Sequence, residues 1–368
     1  MTLPPTNGMH AFHPGDEDGV SWMRGDGPHA EIILSTRIRL ARNLESFPFK
    51  EKSSSDDKER AREEIEAAVR RGDAGFERVR GVRLSELTDR DLALLLERHL
   101  VTRELVNARG SASLLVGDGA RLSLLVNEED HLRIQSLLPG FQVEEAWRLA
   151  EQADSALRGR LRFAFHHDFG FLTSCPTNTG TGLRASVLIH LPALVLTREI
   201  SKVLQGISQI GLTFRGLYGE GSDVIGNYFQ ISNQTTLGKT EQELVGHLAK
   251  ITQQVVEYEE NARQVLARDA LDEIEDKVWR AYGILSCARA VSFDETMNLL
   301  SAVRLGVSMK LLPAVGVFDL NRLLLFTQSA HLERRAGRSL SVREAEVERA
   351  AQIREILSGG ERAARGGR

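Results

Sequence analysis

The sequence predicts an α+β fold: an antiparallel or mixed sheet flanked by helices, followed by an α-helical C-terminal domain. Two observations carry this. Strand-like alternation comes in adjacent hairpins rather than in strict alternation with helices. Beyond Leu237 the chain reads as almost wholly helical to its end. The expected division is a flexible lead over 1–30, a catalytic domain over 31–261 and a helical domain over 262–368.

The elements follow in order. Residues 1–30 are rich in Gly, Pro and Asp and lack periodicity apart from Trp22 and Met23, which reads as a mobile lead. From Glu31 the run EIILSTRIRLARN alternates, with Ser35, Arg37 and Arg39 on one face and Leu34, Thr36, Ile38 and Leu40 on the other. A polar helix is expected over 56–71. Another covers TDRDLALLLERHL, with Thr88 or Asp89 as N-cap. ASLLV, GDGA and RLSLLV make a hairpin ending at Asn127, and LRFAFHHDFGFLTSC makes a second. LRASVLIH alternates like a strand, and Pro192 suits the first turn of a helix running to about Ile210. LTFRG and NYFQIS are strands, and Thr240 with Glu243 is a capping box opening the helical region. The tail GGERAARGGR is expected to fray.

Composition narrows the function classes. With 42% apolar and 27% charged residues the chain is an ordinary soluble globular sequence. A net charge of -4 argues against a surface that coats nucleic acid, yet allows a local basic pocket. The two cysteines, Cys175 and Cys287, lie far apart in sequence. Without a secretory signal, a reducing cytoplasm is the expected location. The most apolar run, ASVLIHLPALVLT, is too short for a membrane helix and contains His190 and Pro192.

Some motifs mislead. Asp168-Phe169-Gly170 resembles a kinase magnesium loop, but its partner motifs are absent and a hairpin turn explains it. GEGSDVIG lacks dinucleotide-binding spacing, and no lysine-bearing phosphate loop exists. His166 and His167 are adjacent, so on a strand they would point to opposite faces, which argues against a two-histidine metal site.

Four segments carry chemistry. They are STRIRLARN, the acidic NEEDHLRIQ, the glycine-rich SCPTNTGTGLRAS and RGLYGEGS. Together they set Arg37, Arg39, Arg133, Arg184 and Arg215 on strand faces or ends, with Glu128, Glu129, Asp130 and Glu220 at similar positions. Guanidinium forks bind phosphate oxygens bidentately and stay charged, so an arginine basket can replace the lysine of a phosphate loop. Phosphoryl transfer needs chiefly positioning and charge neutralisation. The glutamates then need a cationic partner other than the nucleotide.

By these four segments, in this order and spacing, the chain resembles the ATP:guanido phosphotransferases, and within them the bacterial protein-arginine kinases. RASVLIHLPALVLT, YGEGSDVIGNYFQISNQTTLGKTE and the helical extension carry the second resemblance. It covers about residues 29–357. It implies the guanido-kinase (glutamine-synthetase-like) fold, with ATP and Mg²⁺ as cofactors. It further implies that Arg37, Arg39, Arg133, Arg184 and Arg215 hold phosphates. Ser35, Thr36, Ile38, Ala185, Ser186, Val187, Leu188, Gly216, Leu217, Tyr218, Gly219 and Glu220 would wrap the nucleotide, with His99 against it. Glu129 would be the base and Glu220 the clamp on the target guanidinium. Cys175, expected to be partly thiolate beside the arginines, would touch that guanidinium without forming a phosphoenzyme.

The same resemblance frames the substrate. Free-guanidine kinases carry a helical domain of about a hundred residues before the first arginine motif, whereas Arg37 follows a short lead here. That favours protein substrates with exposed arginines over free arginine; a non-catalytic adaptor is the remaining alternative. The resemblance implies a zinc-binding activator, an AAA+ Clp protease and a homodimer, and neither a membrane nor a nucleic acid as partner. The subgroup's Arg-Asp-x-x-Arg-Ala phosphoarginine sensor reads Ala345-Glu346-Val347-Glu348-Arg349-Ala350 here, so weak or absent activation by phosphoarginine is expected.

Overall fold

The computed structural model describes residues 10–11, 17–71, 76, 79–216, 224–313 and 315–366. Its sheet strands are β1 (His10–Ala11), β2 (Ile33–Arg42), β3 (Arg80–Arg83), β4 (Ser113–Val116), β5 (Leu122–Val126) and β6 (Leu132–Pro139). A small hairpin, β7 (Phe165–His166) and β8 (Gly170–Phe171), precedes β9 (Leu183–His190), β10 (Leu212–Gly216) and β11 (Tyr228–Asn233). Among the described residues the large sheet has nine strands in the order β1-β3-β4-β5-β6-β2-β9-β11-β10, antiparallel except for the β1–β3 edge pair.

Helices α1 (Ser55–Val69), α2 (Asp89–Glu97), α3 (Arg103–Asn107), α4 (Val143–Arg158), α5 (Pro192–Leu196) and α6 (Ile200–Gln209) intervene. α7 (Glu241–Asp269), α8 (Leu271–Cys287), α9 (Phe293–Ser308), α10 (Val317–Phe326), α11 (Ser329–Ala336) and α12 (Val342–Gly366) follow the last strand. The capping boxes at Thr88 and Thr240 both form, each side chain accepting from the third helical N–H while that residue's carboxylate accepts from the cap N–H.

Strand pleating splits the central sheet into two chemically opposite faces. Ile38, Leu40, Leu132, Ile134, Leu183, Ala185, Val187, Ile189, Phe229 and Ile231 form one, buried under α4 and α7. The other carries the arginines. Burial of the first face supplies the folding drive, at about 25 cal/mol per Å² of apolar surface, which lets the second hold charge.

Three expectations change. The lead is helical from Glu17 to Met23, and Trp22 and Met23 are only 1% and 2% exposed, in a cluster with Leu34, Leu137, Leu188, Met297 and Leu324. An aromatic and a thioether in a polar stretch had apolar surface to bury, and the lead is the strap that covers it. The single helix expected from Pro192 breaks into α5 and α6 at Arg198, whose φ is +63°. The tail stays helical to Gly366. In addition, α7 runs unbroken through residues 261 and 262, and the backbone breaks instead at Ala270.

The helical domain is bolted to the catalytic one. Arg304 donates to the carbonyls of Ala30 (2.5 Å) and Glu31 (3.3 Å) and to Asn321 Oδ1 (2.8 Å), while Asn321 Nδ2 donates to Met23 O at 2.9 Å. His190 Nε2 and Ser301 Oγ are 2.8 Å apart. On α7, Glu259 accepts the N–H groups of Ala193 (3.1 Å) and Leu194 (3.0 Å), which lie in the first turn of α5.

Candidate active site

The registers gather the cage. Arg39 lies opposite Arg184 and Gln135, Arg37 opposite Ser186 and Leu137, and Arg215 opposite Gln230. Directly opposed residues share a face, so Arg37, Arg39, Arg133, Arg184 and Arg215 all stand on the one not covered by α4 and α7. Ser35, Ser186, Leu188 and Gln230 stand among them. Thr36, Ile38, Ala185 and Val187 turn the other way, into the helix-covered core, and Thr36 Oγ1 donates to Gly140 O at 2.7 Å. Their side chains take no part in the cage, and their backbone is committed to the strand ladders. Gly216 ends β10 opposite Phe229. Leu217, Tyr218, Gly219 and Glu220 lie outside the described residues.

The cage is electrostatically costly as it stands. Burial, then the charges of Arg133 and Arg184, hold Arg37 down at about 10. Burial and the charges of Arg37, Arg133 and Arg184 push Arg39 well below the usual guanidinium range. Guanidinium groups assembled against their own repulsion, in partial burial, want an anion of high charge density. Arg37 is oriented by Gln230, whose Oε1 accepts from Nη2 at 2.9 Å. Gln230 was not singled out from sequence, although the alternation of NYFQIS sets it as the polar position between Phe229 and Ile231.

His99 closes one end of the cage. It ends the α2 turn in the left-handed region at φ +59°, its N–H donating to Leu96 O at 3.0 Å and its carbonyl accepting Gln135 Nε2 at 3.1 Å. The Trp22 ring lies 5.6 Å from the imidazole at 57°. Burial and the Arg37 charge lower His99 to about 4, so the ring is neutral at pH 7. Ser35, Arg37, His99, Leu137, Ser186, Leu188 and Gln230 line a recess of about 50 Å³. That is too small to admit a nucleobase unless these side chains move. The sequence singles out Trp22 only as an apolar exception in the lead and does not single out Leu137, because their contact arises only when the lead folds across the sheet.

The acidic turn joins the cage at Arg133. Buried Glu128 accepts from Arg133 Nη1 at 2.5 Å, while Glu129 accepts from Nη2 at 3.3 Å and leaves its side chain 35% exposed. Burial, reinforced by Asp130 and Glu128 against the opposing Arg133, raises Glu129 above the usual carboxylate range. Thr102 Oγ1 donates to Glu128, and the Glu129 N–H donates to Glu128 Oε2 at 3.3 Å, so Glu128 anchors what Glu129 exposes.

Asp130 ties this turn to the glycine-rich one. Its Oδ1 accepts from Asn43 Nδ2 and from the Ser174 N–H, both at 2.7 Å, one residue before Cys175. Cys175 is partly buried, its Sγ 3.0 Å from Thr177 Oγ1. Gly180, at φ +115°, packs so closely on Thr236 that an added Cβ would lie 2.4 Å from its carbonyl oxygen. Only glycine fits there. In the helical domain, buried Arg349 donates to Thr327 O (2.8 Å) and Val291 O (3.1 Å), and Glu346 accepts from Arg343 at 3.0 Å. No helix among the described residues is long and apolar enough to cross a membrane.

Comparison with known proteins shows the family. Residues 60–262 match the family described as ATP:guanido phosphotransferase, C-terminal catalytic domain, and residues 271–366 match the protein-arginine kinase McsB C-terminal domain. The chain is 50% identical over 339 residues to a protein-arginine kinase of Symbiobacterium thermophilum, covering 92% of this chain and 96% of that protein. To that of Moorella thermoacetica it is 44% identical, covering 93% and 99% respectively. To that of Bacillus subtilis it is 42% identical, covering 92% and 93%. Among solved structures, the duplicated taurocyamine kinase of Schistosoma mansoni with bound transition-state-analogue components superposes with a TM-score of 0.58 at 26% identity, over 64% of this chain. The match spans only 34% of that longer protein. A lombricine kinase shares the fold, with a TM-score of 0.55 at 22% identity over 70% of this chain and 72% of that one. Arginine cage, acidic turn and helical extension converge on one conclusion: the chain belongs to the ATP:guanido phosphotransferase family of phosphoryl-transferring enzymes, on its protein-arginine kinase branch.

Proposed function

We propose that this enzyme transfers the γ-phosphoryl group of Mg·ATP to a guanidinium nitrogen of arginine side chains in proteins, giving phosphoarginine and ADP. The observation that carries the reading is the meeting of cage and acidic turn at Arg133, which touches Glu128 and Glu129 while standing on the arginine face. Phosphates drawn onto Arg37, Arg39, Arg133, Arg184 and Arg215 relieve the repulsion among the guanidinium groups. Mg²⁺ arrives on the phosphate oxygens as part of the substrate, the hard-oxygen setting it prefers. Neutral His99, with Ser35, Ser186 and Leu188, faces the nucleoside end.

The target guanidinium has a pKa above about 12 and no free lone pair. Glu129 accepts a hydrogen bond from it and takes the proton as the N–P bond forms and the bond from phosphorus to the ADP oxygen breaks. Glu220 serves as the second clamp. Cys175, held beside the turn through Asp130 and Ser174, contacts the same guanidinium. The cage arginines neutralise charge on the transferring group and the leaving ADP.

Protein arginine is favoured over free arginine by the names of the relatives and by the helical-domain match. The same kinship supports a role in marking proteins for an AAA+ Clp protease, a zinc-binding activator, a homodimeric assembly and a cytoplasmic setting. Commitment of Arg349 to backbone carbonyls supports weak or absent activation by phosphoarginine. The deciding experiment incubates the enzyme with Mg·ATP and either free arginine or an arginine-rich protein, then measures acid-labile phosphate on each. Phosphate on the protein is expected. Phosphate on free arginine alone makes it a phosphagen kinase, and on neither makes it an adaptor.

A further inference from the structure

At the β7–β8 tip the two histidine rings lie side by side and not on opposite faces of a strand. β7 ends at His166, so His167 already belongs to the turn and its ring swings back beside its neighbour. The imidazole centroids are 4.9 Å apart and tilted by 32°. The Asp168 carboxylate sits between them, Oδ1 2.9 Å from His167 Nε2 and Oδ2 4.0 Å from His166 Nδ1. One donor atom from each of the three residues lies within 4.8 Å of the others, and among the described residues no other group of His, Cys, Asp and Glu does this. Phe169 stacks on the His166 ring at 4.9 Å and 29°, which restrains its orientation.

We propose that His166, His167 and Asp168 form a surface site for a late first-row divalent cation, Zn²⁺ foremost. Two imidazole nitrogens and one carboxylate oxygen make a donor set suited to Zn²⁺, Cu²⁺ or Ni²⁺ and poorly suited to Mg²⁺ or Ca²⁺, which take oxygen. Zn–N and Zn–O bonds of about 2.0–2.2 Å in a tetrahedron set donor atoms roughly 3.4 Å apart. Small rotations of exposed side chains close the present separations to that value. His166 Nδ1 gives up the Asp168 N–H that it accepts at 3.2 Å. Water fills the fourth position.

This site is separate from the Mg²⁺ that accompanies ATP, since it lies on the small hairpin and not on the arginine face. It is nonetheless wired to the glycine-rich turn. Phe171 N–H donates to Gly180 O at 2.7 Å and Gly180 N–H returns to Phe171 O at 3.1 Å, so the hairpin and the segment after Cys175 form one bridge. A cation at the tip stiffens the strand pair that carries this bridge.

Equilibrium dialysis of metal-stripped full-length protein against Zn²⁺, without nucleotide, reads the site directly. One saturable equivalent is expected, weakened at least about tenfold in His167→Ala and in Asp168→Ala, and unchanged in Cys287→Ser. Co²⁺ loaded in place of Zn²⁺ should show a d–d spectrum without a thiolate charge-transfer band. No saturable binding, binding that survives His167→Ala, or a thiolate band each overturns the proposal.

Discussion

Arg39 and Arg184 stand directly opposite one another on neighbouring antiparallel strands, two guanidinium groups on the same face of the sheet. Like charges in opposed positions destabilise a strand pair. The chain holds them there with Arg37 and Arg133 close enough to add to the repulsion on Arg39. Like charges gathered in this way are relieved by a bound polyanion, an arrangement that gives up stability for ligand affinity.

Arg39→Met therefore separates stability from function. Removing one charge relieves the burial and repulsion that depress Arg39, so the ligand-free melting temperature should hold or rise. Loss of a charge-assisted phosphate contact should lower kcat/KM for ATP by about 10²-fold or more. Thermal melts with and without Mg·ATP check stability and binding, and initial rates against ATP concentration check kcat/KM. A variant that melts lower and keeps wild-type affinity for ATP would contradict the assignment of this face.

Glu129 tests the base. Glu129→Gln should lower kcat by about 10²–10⁴-fold, with little change in KM for ATP. The pH dependence has a definite sign. The folded protein holds the Glu129 proton more tightly than the unfolded chain does, so this group contributes stability at low pH that is lost as pH rises through its raised value. Activity runs the opposite way, because the base must be ionised. The acidic limb of kcat against pH should lie above the ordinary carboxylate range and flatten in the glutamine variant. A kcat within a few-fold of wild type sinks the base role.

Much of this site was legible before folding. The alternation of STRIRLARN and LRASVLIH put Arg37, Arg39 and Arg184 on definite faces, because a period of two leaves no other choice in an extended strand. The acidic turn was readable because its carboxylates follow a strong strand and precede Arg133 by a few residues. What escaped depends on long-range registry. Gln230 became a partner of Arg37 only through the placing of β11 beside β9, and Trp22 met His99 only because the lead crosses the sheet. The His167 ring was misjudged for a local reason, since β7 stops one residue earlier than strand reasoning assumes.

Asp130 links two turns through a single oxygen, which accepts from both Asn43 and the Ser174 N–H. Asp130→Ala takes the acceptor from the part-buried Ser174 N–H and leaves Asn43 Nδ2 with only its bond to Leu172 O at 3.2 Å, at a cost of about 1–3 kcal/mol, and frees the segment carrying Cys175. The expected signature is a loss of kcat/KM for the arginine substrate with ATP affinity retained. Asp130→Asn keeps an acceptor oxygen and should recover part of the loss. Equal failure of both variants, or a matching loss of ATP binding, would show that Asp130 only supports the fold.

The helical domain reaches the turn that carries His99 through Glu97. Its carboxylate accepts the N–H groups of Ala330 (2.8 Å) and His331 (3.1 Å) at the start of α11, and His331 Nδ1 lies 2.7 Å from Oε2. Arg98 Nε lies 3.3 Å from His331 Nε2. Burial holds His331 below its usual value despite the Glu97 charge, so the ring is neutral, with Nδ1–H donating to Glu97 and Nε2 accepting from Arg98. Both partners immediately precede His99, whose left-handed backbone fixes its ring beside Trp22. Glu97→Ala strips the α11 N-terminus of its acceptor and leaves the His331 donor without a partner. Unfolding should become easier by about 1–3 kcal/mol, and KM for ATP should rise several-fold while kcat changes little, because the cage and Glu129 are untouched. Acid should act similarly. His331 is a group whose folded value is depressed, so its stabilisation is present above the unfolded pKa of about 6.5 and is lost as pH falls below it. Protonation also sets an imidazolium against Arg98. Denaturant melts of wild type and Glu97→Ala across pH 7 to 5, paired with ATP titrations, measure the link; an unchanged KM in a folded Glu97→Ala protein would show that α11 packs on α2 without reporting to His99.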